Sequence, residues 1–181
     1  MTAIHIIRAT TENITQLQPL AITTFRETYE TFNTPEDMRD YLSRYFNEAQ
    51  LTHEINSPDS SYYLAFHQDA PIGYIKLNTG NAQTDLRDQN TLEIERIYVL
   101  QQHQGLKAGR QLLDKAIAVA REKKVAFLWL GVWDKNEKAQ GFYRKHNFVP
   151  FGTHIFRLGA DEQTDILMKR DIWSSRAETQ D

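Results

Sequence analysis

The stretch Leu92-Glu93-Ile94-Glu95-Arg96-Ile97-Tyr98-Val99, with Gln104-Gly105-Leu106-Lys107-Ala108-Gly109-Arg110 close behind it, decides the fold. The first segment reads as a strand whose apolar residues change parity partway. Leu92 and Ile94 alternate for one buried face, whereas Ile97 and Val99 alternate on the opposite parity. Side chains in a strand repeat every two residues, so a regular strand cannot put all four on one face. One extra residue at Glu95-Arg96 restores the register. That is a β-bulge, which bends its strand and disturbs the local ladder. A strand buried on both faces without a bulge is the alternative. Beside a parallel neighbour, a bulge would splay the pair and open a slot.

Working outward, Gly109 to Lys124 reads as an amphipathic helix with Leu112, Leu113, Ala116, Ile117 and Ala120 on one face. Val125 to Val132 is short and almost wholly apolar, as in a strand buried on both faces. Strand, helix and strand together demand a parallel pair with a right-handed crossover. Upstream, Ile4 to Arg8 reads as a strand and Thr11 to Thr31 as a helix. Thr34 and Pro35 are suited to the cap and first position of a second helix carrying Met38, Tyr41, Leu42, Tyr45 and Phe46. A short helix over Asn47 to Ile55, a hairpin of Tyr62 to His67 and Ile72 to Leu77, and a polar loop over Asn78 to Asn90 follow. Downstream come a helix over Asn136 to His146 and antiparallel strands over Phe148 to Phe156 and Thr164 to Lys169. The expected fold is α/β (α+β): a mixed, mostly antiparallel sheet of about seven strands, with helices on both faces and a splayed central parallel pair. No repeat or linker divides the chain, so residues 1–173 form one expected domain, with a polar tail over Ser174 to Asp181.

The 181 residues contain no cysteine, which excludes disulfides, thiolate metal sites and cysteine nucleophiles. The formal net charge of -3 argues against a nucleic-acid partner, whose footprint is usually basic. No basic stretch followed by an apolar run opens the chain, and no apolar run approaches the roughly 20 residues that span a bilayer. A cytoplasmic protein without membrane contact is expected, as a monomer or homodimer. The six histidines have no tight metal-ligand spacing, so no metal site is expected.

The turn over Gln104 to Arg110 joins a strand to a helix start, where free backbone N–H groups and the helix dipole make an anion site. Gly105 and Gly109 let a ligand approach the backbone. Neither a P-loop pattern nor a dinucleotide-binding glycine pattern is present. A glycine pair at such a junction, taken alone, is also compatible with a simple turn.

Gln104-Gly105-Leu106-Lys107-Ala108-Gly109 resembles the acetyl-CoA loop of the GNAT superfamily, Q/R-x-x-G-x-G/A, with Lys107 replacing the middle glycine. Asn136-Glu137-Lys138-Ala139-Gln140-Gly141-Phe142-Tyr143-Arg144-Lys145-His146-Asn147-Phe148 resembles the family's N-x-x-A-x-x-F-Y-x-x-x-G-F. Asn136 can cap that helix, and Asn147 stands where the family has glycine, as the next best residue for a left-handed C-cap. The likeness covers nearly the whole chain. Within the superfamily, Leu92 to Val99, Gln104-Gly105 and the segment Leu158 to Asp165 resemble the bacterial PaiA-type spermidine/spermine acetyltransferases.

The resemblance implies transfer of an acetyl group from acetyl-CoA to a primary amine, with a polyamine as the small-molecule acceptor. An alkyl ammonium has a pKa near ~10.4, so a base must take its proton before attack. Glu95 beside the bulge is the preferred base and Glu93 the second candidate; both can also be read as surface charges. Tyr143 reads as a core aromatic by periodicity, while the resemblance points it at the thioester sulfur as an acid. Ile97, Tyr98 and Val99 would hold the pantetheine arm. Backbone from Gln104 through Gly105, Leu106, Lys107, Ala108 and Gly109 to Arg110 would hold the pyrophosphate. Asn136 and Lys145 complete the expected cofactor set. Tyr29, Glu30 and Tyr41, with Glu36 and Asp37, form an acidic-aromatic group suited to a polycation. The competing functions are an N-terminal protein or other small-amine acetyltransferase, and a non-catalytic acyl-CoA-binding regulator.

Overall fold

The computed structural model describes residues 3–88, 90–159 and 161–173. Seven strands form one sheet: β1 (Ile4–Arg8), β2 (Ser60–His67), β3 (Ala70–Asn78), β4 (Thr91–Val99), β5 (Phe127–Trp133), β6 (Val149–Leu158) and β7 (Asp161–Asp171). Five α-helices accompany them: α1 (Ile14–Tyr29), α2 (Pro35–Tyr45), α3 (Glu48–Asn56), α4 (Ala108–Glu122) and α5 (Glu137–Lys145). The strand order is β1-β2-β3-β4-β5-β7-β6, and every pairing is antiparallel except β4 with β5. This is the mixed sheet expected, with α4 as the crossover that parallel neighbours require. The tail from Ser174 to Asp181 lies outside the described residues.

The bulge lies where the parity change puts it. Lys76 pairs with Arg96 and Leu77 with Ile94, leaving Glu95 as the extra residue on β4. The apolar residues on both sides of the bulge therefore reach one core, Ile94 within it and Ile97 and Val99 packed against it. Tyr98 turns to the opposite face. On the other side of β4, the parallel pairing with β5 runs from Thr91–Phe127 to Ile94–Leu130 and stops there. The two strands part at the bulge, and a fork opens between their C-terminal ends.

Each face of the sheet has its own core. One packs Leu112, Leu113, Ala116 and Ile117 of α4 and Tyr143 of α5 against Leu92, Leu128, Leu130 and Met168. The other packs α1, α2 and α3, through Leu17, Phe25, Met38, Phe46 and Leu51, against Tyr62, Leu64 and Tyr74. Local signals hold these helices in place. The Thr34 hydroxyl accepts from the Asp37 amide at the start of α2, and the Asn136 side chain accepts from the Ala139 amide at the start of α5. Asn147, at φ 63°, ends α5 in the left-handed conformation. The Phe148 amide then reaches the Tyr143 carbonyl, and the Asn147 amide the Arg144 carbonyl, which is a Schellman closure.

The segment between β3 and β4 is more than a surface loop. It includes a 3-10 turn at Gly80–Ala82, and it buries Gln83, whose side-chain oxygen accepts from the Trp129 indole and the Thr91 hydroxyl. Its polar composition reads as solvent-facing because the indole that buries and satisfies Gln83 comes from β5, far along the chain.

Candidate active site

The fork opens into a cavity of about 720 Å³. Its floor is Ile94 to Val99 of β4 and Leu130 to Trp133 of β5. One side is the end of α1 from Thr24 to Tyr29, with Phe32 just beyond it, and the other is the turn before α4 together with α5. Sequence-distant segments meet here because both strands of the parallel pair point their C-terminal ends at this point, as open α/β sheets do.

At the α4 end, the first helical amides have no carbonyl one turn back to accept them, and Lys107 supplies no side-chain cap. These N–H groups and the helix dipole favour an anion. Gly105 has φ +99°, a conformation that other residues avoid. Lys107 itself adopts φ +64°, so it takes up the left-handed turn that a glycine would otherwise make, and its side chain stays exposed. Cationic side chains of Lys107, Arg110 and Lys138 line this end of the cavity, and Lys135 lines it beside Trp133. Lys135 and Lys138 were not anticipated, since surface lysines on a helix start carry no distinctive signal. Lys138 donates to the Gln104 side chain at 2.6 Å, tying α5 to the turn.

Ile97, Tyr98, Val99, Gln104, Gly105, Lys107, Ala108, Gly109, Arg110 and Asn136 all line the cavity. Leu106 and Lys145 do not; Leu106 is 43% exposed, and Lys145 lies on the solvent side of α5. Tyr143 is buried and lines the cavity from the α5 side. Burial, with a contribution from Tyr98, pushes its phenol well above the ordinary range, so it carries its proton at neutral pH.

The two glutamates on β4 are placed differently. Glu93 is outside the cavity lining, buried beneath the loop, where it accepts from the Thr84 amide and hydroxyl and from Asn78. Burial raises its carboxyl despite those bonds. Glu95 lines the cavity but is held by its neighbours: Lys76 Nζ at 2.6 Å, Arg96 Nη2 at 3.3 Å and Asn78 Nδ2 at 2.6 Å. Burial alone would raise its carboxyl, but Arg96 and Lys76 outweigh it and keep it below the usual range. Glu95 is therefore a fixed anion and a weak proton acceptor. Glu54 completes the network, bridging Lys76 at 3.0 Å and Arg96 at 3.6 Å and accepting from the Tyr62 hydroxyl.

Of the expected acceptor group, Tyr29 lines the cavity beside Tyr98. Tyr41 instead stacks on Phe25 at 4.8 Å, and Glu30 sits exposed at the end of α1. Glu36 and Asp37 occupy the first turn of α2, where they favour the helix dipole. Among the described residues, no group of three or more His, Cys, Asp or Glu side chains is placed to hold a metal ion.

The model of the acetyltransferase (GNAT) family matches residues 22–148. An uncharacterized N-acetyltransferase from Lactobacillus delbrueckii subsp. lactis is 39% identical over 95% of this chain and 99% of its own. An uncharacterized N-acetyltransferase from Mycobacterium tuberculosis is 30% identical over 76% of this chain and 84% of its own. Among solved structures, the PaiA N-acetyltransferase of Thermoplasma acidophilum, crystallised with coenzyme A, superposes with a TM-score of 0.77 at 22% identity, covering 93% of this chain and 99% of its own. Matching in sequence over most of its length and sharing the splayed parallel pair, the chain belongs to the GNAT family of acetyltransferases.

Proposed function

We propose that the protein transfers the acetyl group of acetyl-CoA to a primary amine, with a polyamine such as spermidine as acceptor. The observation that carries this reading is the continuity of one cavity from the uncapped start of α4, through the β4–β5 fork, to the phenols of Tyr29 and Tyr98. The α4 end suits a pyrophosphate. Backbone of Ile97 and Val99, freed from β5 past Ile94, is available to a pantetheine arm lying along the strand. The Thermoplasma neighbour's coenzyme A supports the same choice of donor.

The residues divide the chemistry between them. Tyr143, kept protonated by burial, donates toward the departing sulfur. Backbone N–H groups at the bulge polarise the carbonyl. Tyr29 and Tyr98 give the acceptor end its hydrogen-bonding character, and the Glu95 carboxylate, paired with Lys76 and Arg96, fixes the wall beside them.

The test is release of coenzyme A thiol from acetyl-CoA, with spermidine, an alanine-initiated peptide, or no acceptor. Spermidine-dependent release is expected. Release with the peptide alone favours an N-terminal protein acetyltransferase. Tight acetyl-CoA binding without release on any amine favours a binding-only regulator.

A further inference from the structure

Asp165 was not among the expected site residues. It lies on β7, paired across to Trp133 of β5 and to His154 of β6. Its carboxylate faces Gly131, where a built Cβ would lie 3.3 Å from Asp165 Oδ2. Gly131 is the first residue of β5 beyond the last pairing with β4, it lines the cavity, and it is exposed. Asp165 is not itself part of the cavity lining; its carboxylate stands directly behind Gly131 at the crotch of the fork, and the missing side chain of that glycine brings it close to the cavity floor. Tyr29 and Tyr98 are within its electrostatic reach, on the face opposite the core that contains Tyr143.

We propose that Asp165 is the catalytic residue that binds the acceptor ammonium and takes its proton. This rests on the acetyltransferase reading of the same cavity. The arrangement brings the amine to the fork from the Tyr29–Tyr98 face, while the sulfur leaves on the Tyr143 face. Asp165 accepts one proton from R–NH3+. The free amine lone pair forms a bond to the thioester carbon, and the C=O pair moves to oxygen. That pair returns as the C–S bond breaks, and the thiolate takes the Tyr143 proton. The second nitrogen proton reprotonates Tyr143 through solvent, and Asp165 releases its own proton to solvent. The products are the N-acetyl amine, coenzyme A thiol and one H+.

The surroundings suit the role better than those of Glu95. Lys76 and Arg96 neutralise Glu95 directly. The groups facing Asp165 are His154 on β6, Asp134 after β5, Asp85 in the loop before β4, and the phenols of Tyr29 and Tyr98. His154 is itself engaged by Asp85 at 3.0 Å. Burial raises the Asp165 carboxyl to about 6, with Asp134 and Asp85 adding to the rise and His154 opposing it. A base in that range is ionised at neutral pH and still basic enough to hold a proton.

The experiment measures kcat/KM against pH at saturating acetyl-CoA for wild type, Asp165→Asn, Glu95→Gln and Gly131→Ala, with spermidine and the alanine-initiated peptide as acceptors. Acetyl-CoA affinity serves as the folding control. Wild type should lose activity below a break near 6. Asp165→Asn should lose about 10²-fold or more and lose that break, with acetyl-CoA affinity retained. Gly131→Ala, which sets a methyl against the carboxylate, should raise the acceptor KM and keep the break. An Asp165→Asn enzyme with wild-type rate and wild-type break overturns the assignment and leaves the acetyltransferase reading standing. Wild-type protein inert toward both acceptors overturns that reading and this one with it. If Asp165→Asn fails to bind acetyl-CoA, an unchanged acceptor KM in Gly131→Ala overturns the assignment.

Discussion

The two faces of the sheet are built from different materials. Under α4 and α5, the core is mainly aliphatic: Leu112, Leu113 and Ile117 close on Leu92, Ile94, Leu128 and Leu130, with Tyr63, Tyr143 and Phe148 among them. Under α1, α2 and α3, aromatic rings share the core with buried ions. Phe25 stacks on Tyr41, and the Arg96 guanidinium lies 4.5 Å over Phe46, with Glu54, Lys76 and Glu95 as its ionic neighbours. The aliphatic face gains from burial alone, at roughly 25 cal/mol per Å² of apolar surface. The ionic face gives up much of its attraction to desolvation, so its charges are better understood as holding geometry at the bulge than as adding stability.

This contrast can be broken from the ionic side first. Arg96→Met leaves Glu54 and Glu95 buried with Lys76 as the one cation they still share, and should cost about 3–5 kcal/mol at pH 7 in urea unfolding. On the aliphatic face, Leu112→Ala removes a fully buried side chain and should cost about 2–4 kcal/mol. Acid separates the two losses. The folded carboxyl of Glu95 is depressed, so its contribution is present above the unfolded value of about 4.3 and fades as pH falls through the folded one. The cost of Arg96→Met should therefore shrink in acid, while that of Leu112→Ala should not. A cost for Arg96→Met that is flat with pH would mean that packing on Phe46, and not charge, sets it.

Smaller effects sharpen the comparison at the fork itself. Tyr143→Phe should lower kcat about 10²-fold, equivalent to about 2.7 kcal/mol of barrier, with little change in acetyl-CoA affinity. An unchanged kcat would leave Tyr143 as a packing residue of the aliphatic face. Asp165→Asn should be slightly more stable than wild type above neutrality. The folded carboxyl is raised, so between its unfolded and folded values the native state binds the extra proton, and wild-type stability falls as pH rises through about 6. Asparagine removes that penalty, for a gain of about 1 kcal/mol or a melting shift of roughly 2–4 °C at pH 8. Equal stability at pH 5 and pH 8 in both proteins would argue that Asp165 is well solvated. At the periphery, Thr34→Ala removes the α2 cap and should cost about 1 kcal/mol without affecting turnover.

How far the site could be read depended on distance along the chain. The bulge was legible because Leu92, Ile94, Ile97 and Val99 carry their own parity record within one strand. The turn before α4 and the left-handed Asn147 were legible for the same local reason. The role of Glu95 was not, because Lys76 lies on β3 and meets it only through antiparallel pairing. The helix-start acids Glu36 and Asp37 lie in the first turn of α2, away from the cavity lining, and their charges favour the dipole there.

Local pattern, then, was enough for the elements, the splayed pair and the turn before α4, since period two, period 3.6 and turn chemistry all act between near neighbours. The neutralisation of Glu95, the burial of Gln83 under Trp129, and the position of Asp165 at the fork belong to the tertiary structure alone. Each depends on which strands become neighbours in β3-β4-β5-β7, and a carboxylate acquires its proton affinity from the charges and solvent that this order brings to it.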